Sequence, residues 1–267
     1  MPSPPLPDPG EPPAVDPGPG AGSPVTPLPN PGEGGPVYPG GNRPVFPGII
    51  LPPVQKKYAR VRILNAGYGY RPFRILINNT RVVNWLGYAA FSPYGRVPAG
   101  YQTVTVTGMD GYVYIQKSLP FEVGQIMTIA IINTPSGLDL LQIPDNCCRP
   151  NGNFANFRVS NLALNSPPVD VLLGDGRVVY SDVRCKETTP FKRIRPGAYQ
   201  FFFAETALAP MPSWMDIETL DSAFIGTYPL PNTLASLYLN AANSVSYTAY
   251  LIPGSPTTIQ VLLAETR

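Results

Sequence analysis

The chain has 267 residues, room for roughly two domains of ordinary size. It is 43% hydrophobic, enough to fill cores, yet only 13% charged, so Asn, Ser, Thr, Gln, Tyr and Gly must cover its surface. A net charge of +2 gives no electrostatic footprint for nucleic acid, and the lack of histidine excludes Ser-His and Cys-His triads and zinc sites of the Cys/His kind.

Residues 1–53 hold 19 of the 36 prolines and 10 of the 25 glycines. Proline donates no backbone hydrogen bond and glycine adds chain entropy, so neither helix nor sheet survives that mixture. This reads as a disordered, extended arm, partly polyproline II. It carries four acids against Arg43, and few residues fit for burial before Val45, Phe46, Ile49, Ile50 and Leu51. Its start has neither a basic n-region nor an apolar h-region, so it is not read as a secretory signal. No stretch approaches the roughly 18 apolar residues of a membrane-spanning helix.

A first module is expected over 54–145. Ala59, Val61 and Ile63 alternate with Arg60 and Arg62, the period-2 pattern of a strand buried on one face. Phe73, Ile75 and Ile77 repeat it, and Asn78-Asn79 supply residues that tolerate positive φ at a hairpin. Further strands are expected from Tyr101, at Tyr112–Gln116, at Ile126–Asn133 and in the apolar run Leu138–Ile143. Residues 146–153 form a linker with the adjacent Cys147 and Cys148.

The second module, 154–267, rewrites the first. Val61-Arg62-Ile63-Leu64-Asn65 returns as Phe157-Arg158-Val159-Ser160-Asn161, and Arg81-Val82-Val83 as Arg177-Val178-Val179, at a shift of about 96 residues. Pro98-Ala99-Gly100-Tyr101-Gln102 returns, after a slip, as Pro196-Gly197-Ala198-Tyr199-Gln200. Ser246–Ile252 and Thr258–Leu263 supply its last strands, while Ser213–Ser222 and Thr233–Leu239 could each make a helical turn or two. About seven short strands per copy make this an all-β chain of tandem sandwiches.

The second copy also carries the motifs of a family. Ser166-Pro167-Pro168-Val169-Asp170-Val171, then Gly176-Arg177-Val178-Val179-Tyr180, Lys186-Glu187-Thr188-Thr189 and Pro196-Gly197-Ala198-Tyr199 resemble DUF4397, a bacterial domain of unknown function. The first copy departs from it, with Phe73-Arg74 in place of the Val-Asp pair and Ala89-Ala90-Phe91 in place of the Lys-Glu-Thr run. The resemblance implies immunoglobulin-like or transthyretin-like β-sandwiches, often in tandem, on secreted or surface proteins. It implies no reaction.

Candidate chemistry is sparse. Neighbouring cysteines seldom bridge each other, so Cys147, Cys148 and Cys185 are either reduced thiols or cross-links between subunits of a coat or fibre. About 20 extra residues in the second copy, 207–227, form a loop whose Met211, Trp214 and Met215 are candidate binding residues. Asp170, Asp175 and Asp182 lack the oxygen-dense spacing of a calcium loop. Trp85 and Trp214 could stack on sugars, though a lone Trp in a β-module more often fills a core.

No catalytic residue, cofactor or metal site is expected, and the chain is not expected to be an enzyme. The reading is a structural or interaction protein of the bacterial cell envelope or spore coat, synthesised in the cytoplasm in the spore version. Its partners would be other protein subunits or envelope components. The alternative is a carbohydrate-binding or adhesive module whose partner is a glycan.

Overall fold

The structure is a computed structural model that describes residues 57–146, 153–206 and 232–266. The arm, Cys147 and Cys148, the loop with Met211, Trp214 and Met215, and the Ser213–Ser222 segment all lie outside the described residues.

The described chain is all-β, seventeen strands and no helix. In the first module, β1 (Tyr58–Ala66) sits between β8 (Ile126–Thr134) and the short β4 (Ala90–Phe91) and β5 (Gly95–Pro98), with β9 (Gly137–Pro144) beyond β8. The β1–β8 pair is parallel and the rest of the sheet antiparallel. A second, antiparallel sheet orders β3 (Thr80–Leu86), β2 (Phe73–Ile77), β6 (Gly100–Thr107) and β7 (Val113–Phe121). Phe73, Ile75, Val104 and Val106 meet Val61, Ile63, Ile129 and Ile131 between the two sheets.

The second module repeats this arrangement. One sheet orders β13 (Lys192–Ile194), β10 (Ala155–Asn161), β16 (Ser246–Pro253) and β17 (Ile259–Thr266), with β10 and β16 parallel. The other orders β12 (Val178–Val183), β11 (Val169–Leu173), β14 (Gly197–Glu205) and β15 (Thr233–Ala241). Phe157 stacks on Phe201 in its core, centroids 4.2 Å apart, an aromatic pair worth about 1 kcal/mol beyond its buried area.

The duplication reaches single hydrogen bonds. Asn65 donates to Leu86 O at 3.0 Å and accepts from Gly67 N. Asn161 donates to Val183 O at 3.1 Å and accepts from Ala163 N. Ser92 Oγ accepts from Ile63 N where Thr189 Oγ1 accepts from Val159 N. Ala89 and Lys186 both hold positive φ and both donate a backbone N–H, to Asn65 O and Asn161 O.

Three expectations need correction. Pairing sets Ile77 against Val104 and Leu173 against Phe201, so the counterpart of Tyr199 is Gln102, not Tyr101. A one-residue slip reverses the face of a strand residue, and Tyr101 is 78% exposed where Tyr199 is 1% exposed. Thr233–Leu239 is strand, not helix, because Ala235, Leu237 and Leu239 lie opposite Phe203, Phe201 and Tyr199. Most consequential, Arg62 and Arg158 are buried rather than solvated.

That burial arises because the β1 and β10 sheets are covered on both faces. Val61 and Ile63 point into the first sandwich, while Leu64 and Ala66 join Ala130, Ile132, Ile143, Leu162, Tyr250, Ile252 and Ala264 in a third apolar cluster. This cluster takes residues from both modules, so the two sandwiches meet through their β1 and β10 sheets. Val61 and every later β1 residue are buried, and so is every β10 residue.

Candidate functional site

The seam between the modules contains a buried charge cluster built on the repeat. Arg62 Nε donates to Thr128 Oγ1 at 2.8 Å, and Arg158 Nε donates to Thr248 Oγ1 at 3.0 Å. These are equivalent pairs on equivalent strands, β1–β8 and β10–β16. The Arg62 guanidinium lies 4.8 Å from the Tyr94 ring centroid and that of Arg158 lies 4.2 Å from Phe191, contacts that favour a cation most where water is excluded.

Both arginines share one acid. Arg158 Nη2 reaches Asp145 Oδ1 at 2.9 Å, whereas Arg62 Nη2 stands 3.8 Å from Oδ2, beyond hydrogen-bond range. Thr128 Oγ1 and Tyr94 OH donate to the same Oδ2 at 2.6 and 2.8 Å. Burial first, then the Asp145 carboxylate, push the Tyr94 phenol up to about 12; the buried Tyr250 moves the same way for the same two reasons. Arg158 Nη1 donates to Pro144 O and Arg62 Nη1 to Glu265 O, so each guanidinium bridges the modules. This cluster locks two domains together. Its two arginines and its aspartate are buried.

The remaining described aspartates are each engaged in a structural contact. Asp170 is buried and accepts from Asp182 N, at a positive-φ bulge, and from Thr206 Oγ1. Asp175 holds Arg177 across a hairpin tip; partial desolvation raises its carboxyl, but the Arg177 hydrogen bonds outweigh that and the net shift is downward. Asp182 pairs with Arg184, Asp139 with Lys117, and Asp110 caps Tyr112 N. Among the described residues no group of three or more Cys, Asp or Glu could hold a metal ion. Cys185 is a half-buried free thiol; burial pushes it up, with Lys186 only partly offsetting that.

The outer face of the β3-β2-β6-β7 sheet is the second notable region. Trp85 is 63% exposed, against the expectation that a lone Trp fills a core. Leu86 points inward, so Trp85 points outward, and its indole lies over Gly87, where an added Cβ would meet the ring at 3.3 Å. Pairing places Arg74 beside Thr107, and Thr107 beside Val113, in the row next to Trp85. Met109 and Tyr112, also exposed, cap this row at the β6–β7 hairpin.

A third feature is a cleft of 390 Å³ at one end of the seam. Tyr68 and Asn133 of the first module face loops 163–167 and 253–259 and the start of β15 in the second. The Tyr88 hydroxyl donates to Pro253 O across the junction, and Tyr68 packs edge-on against Tyr88 at 5.6 Å.

Residues 59–172 match the model of DUF4397, a domain of unknown function. This stretch is a DUF4397 domain. The match covers the first sandwich from Ala59 and runs into β11 of the second, the copy that carries the family's motifs most fully. No curated protein matches the chain.

The seam and the cleft were not singled out from sequence, and Trp85 was singled out as a sugar-stacking candidate with a core role as the alternative. For the seam one signal was available: Arg62 and Arg158 recur at the same repeat position. Of the residues weighed from sequence, Cys185, Trp85, Asp170, Asp175 and Asp182 fall among the described residues.

Proposed function

We propose that this DUF4397 chain is a non-enzymatic structural or interaction protein of the bacterial cell envelope or spore surface. One observation carries the reading. Of the nine large apolar residues exposed among the described residues, eight belong to the first module, and four of these, Trp85, Met109, Tyr112 and Val113, gather at one end of its outer sheet. Single exposed apolar residues are ordinary, but a cluster of them marks a contact surface. The engagement of all six described aspartates in structural contacts fits a structural role for these carboxylates.

Partners are other protein subunits or envelope components, engaged through this open sheet. Cross-links through Cys147, Cys148 and Cys185 would make such contacts permanent in a coat. Two experiments test the reading. A tagged copy should localise to the envelope or spore surface in the native organism; a diffuse cytoplasmic signal through growth and sporulation contradicts it. Non-reducing gels should show disulfide-linked multimers that vanish when Cys147 and Cys148 become Ser; monomer in both lanes eliminates the cross-linking part alone.

A further inference from the structure

The cleft at the seam has the chemistry of a small-ligand site and no place in the role proposed above. Its volume of 390 Å³ falls in the ~300–1,000 Å³ range of such sites. Among the described residues no Asp, Glu, Lys or Arg lines it, which fits a neutral ligand. Leu164, Leu234 and Ile259 supply aliphatic surface, and Tyr68 supplies an aromatic wall.

Its walls are held by groups that are already satisfied. The Asn133 side chain clamps the Tyr68 backbone, accepting from its N–H at 2.7 Å and donating to its carbonyl at 3.1 Å. Asn161 ties the 163–166 turn through Ala163 N and Ser166 Oγ. Ser255 Oγ accepts from Thr257 N, Thr258 N and Thr258 Oγ1, which fixes the facing loop. A site whose supporting shell is hydrogen-bonded before the ligand arrives loses little entropy on binding.

Among the described residues, three lining groups have no protein hydrogen-bond partner: the Tyr68 hydroxyl, the Asn165 amide and the Thr257 hydroxyl. Each can both donate and accept. A proline-rich peptide offers mainly carbonyl acceptors and would leave the accepting halves idle. A sugar hydroxyl donates and accepts, and a pyranose ring has an apolar C–H face to lay on a tyrosine.

We infer that the cleft binds a neutral saccharide, with the Tyr68 ring under the sugar and Asn165 and Thr257 on its hydroxyls. Because Tyr68 comes from one module and Asn165 and Thr257 from the other, the site exists only while the seam is closed. The inference stands independently of the envelope role, and it gives the glycan alternative a defined place.

The test is binding of cellobiose, maltose and chitobiose to the full chain, followed by NMR or calorimetry. At least one should bind saturably. Asn165→Ala and Thr257→Val, both at exposed positions where the fold is not at stake, should each weaken it about tenfold, the loss of one useful hydrogen bond. Tyr68→Ala should abolish binding, and Trp85→Ala on the distant outer sheet should leave it unchanged. Silence from all three sugars overturns the inference. So does binding that survives Asn165→Ala and Thr257→Val, or binding that disappears with Trp85→Ala, which would place the sugar on the open sheet. A polyproline peptide that binds at Tyr68 while the sugars do not would replace the saccharide with a peptide. None of these outcomes bears on localisation.

Discussion

The outer sheets of the two modules are built from equivalent strands and have opposite surroundings. Arg81 on β3 is exposed, as is its neighbour Val82 at 50%, whereas Val178 on β12, the register counterpart of Arg81, is 9% exposed. Thr105 on β6 occupies the register position of Phe202 on β14, because Leu76 pairs with the first and Leu172 with the second. Phe202 and Val178 are buried, yet neither belongs to the core between their own two sheets. Duplication thus preserved the inner faces and released the outer ones. The second module's outer sheet is buried at Phe202 and Val178 and exposed at Tyr238, while the first module's is exposed at Arg81 and Trp85 and buried at Thr105.

The strongest way to break this picture is at the part that both modules share. Asp145→Ala leaves two buried guanidiniums without their carboxylate, and should destabilise the chain by about 3–5 kcal/mol in chemical denaturation. A loss under ~1 kcal/mol would mean that water already reaches the seam. The next effect compares the outer sheets directly. Val178→Ala should cost ~1.5 kcal/mol as buried methyls are lost, and Val82→Ala should fall within about 0.5 kcal/mol of wild type. Equal costs would refute the contrast.

A smaller effect has the opposite sign. The Thr105 hydroxyl is buried without a partner, so Thr105→Val should stabilise the protein by about 1 kcal/mol by removing an unsatisfied group at constant shape. Destabilisation would show that the hydroxyl has a partner. The smallest effect is in pH. Tyr94 titrates at about 12 in the fold against a usual 10.0, so the fold favours its neutral form. Its contribution is complete below pH 10 and is lost as pH rises towards 12. Partial exposure of the ring limits this to under about 1 kcal/mol. Tyr94→Phe should reduce the alkaline slope of stability without removing it, since Tyr88, Tyr199 and Tyr250 are shifted the same way. An unchanged slope would contradict the assignment.

The sandwiches were legible because their inward residues keep a period of two in both copies, as Phe73-x-Ile75-x-Ile77 and Val169-x-Val171-x-Leu173 show. The hairpin at Asn78-Asn79 was legible from residue type alone, and both residues do hold positive φ. The seam was harder to read. A strand covered on both faces loses its alternation, and Arg62 sits between apolar neighbours much as a solvated arginine on an edge strand would. Its burial depends on Asp145, which is 83 residues away in sequence. The cleft was less legible still, since Tyr68, Asn165 and Thr257 come from three separated loops with no common spacing. The slip at Tyr101 and Tyr199 shows the limit of matching letters: identical residues took opposite faces, and only pairing register distinguished them.

Native-state hydrogen exchange tests most directly whether two sandwiches have become one unit through a duplicated Arg–Thr pair on a single carboxylate. Amides of β8 and β16 should open together at one free energy, and Asp145→Ala should separate them into two. If β16 stays protected after β8 has opened in the unmodified chain, the seam does not couple the modules and the account fails.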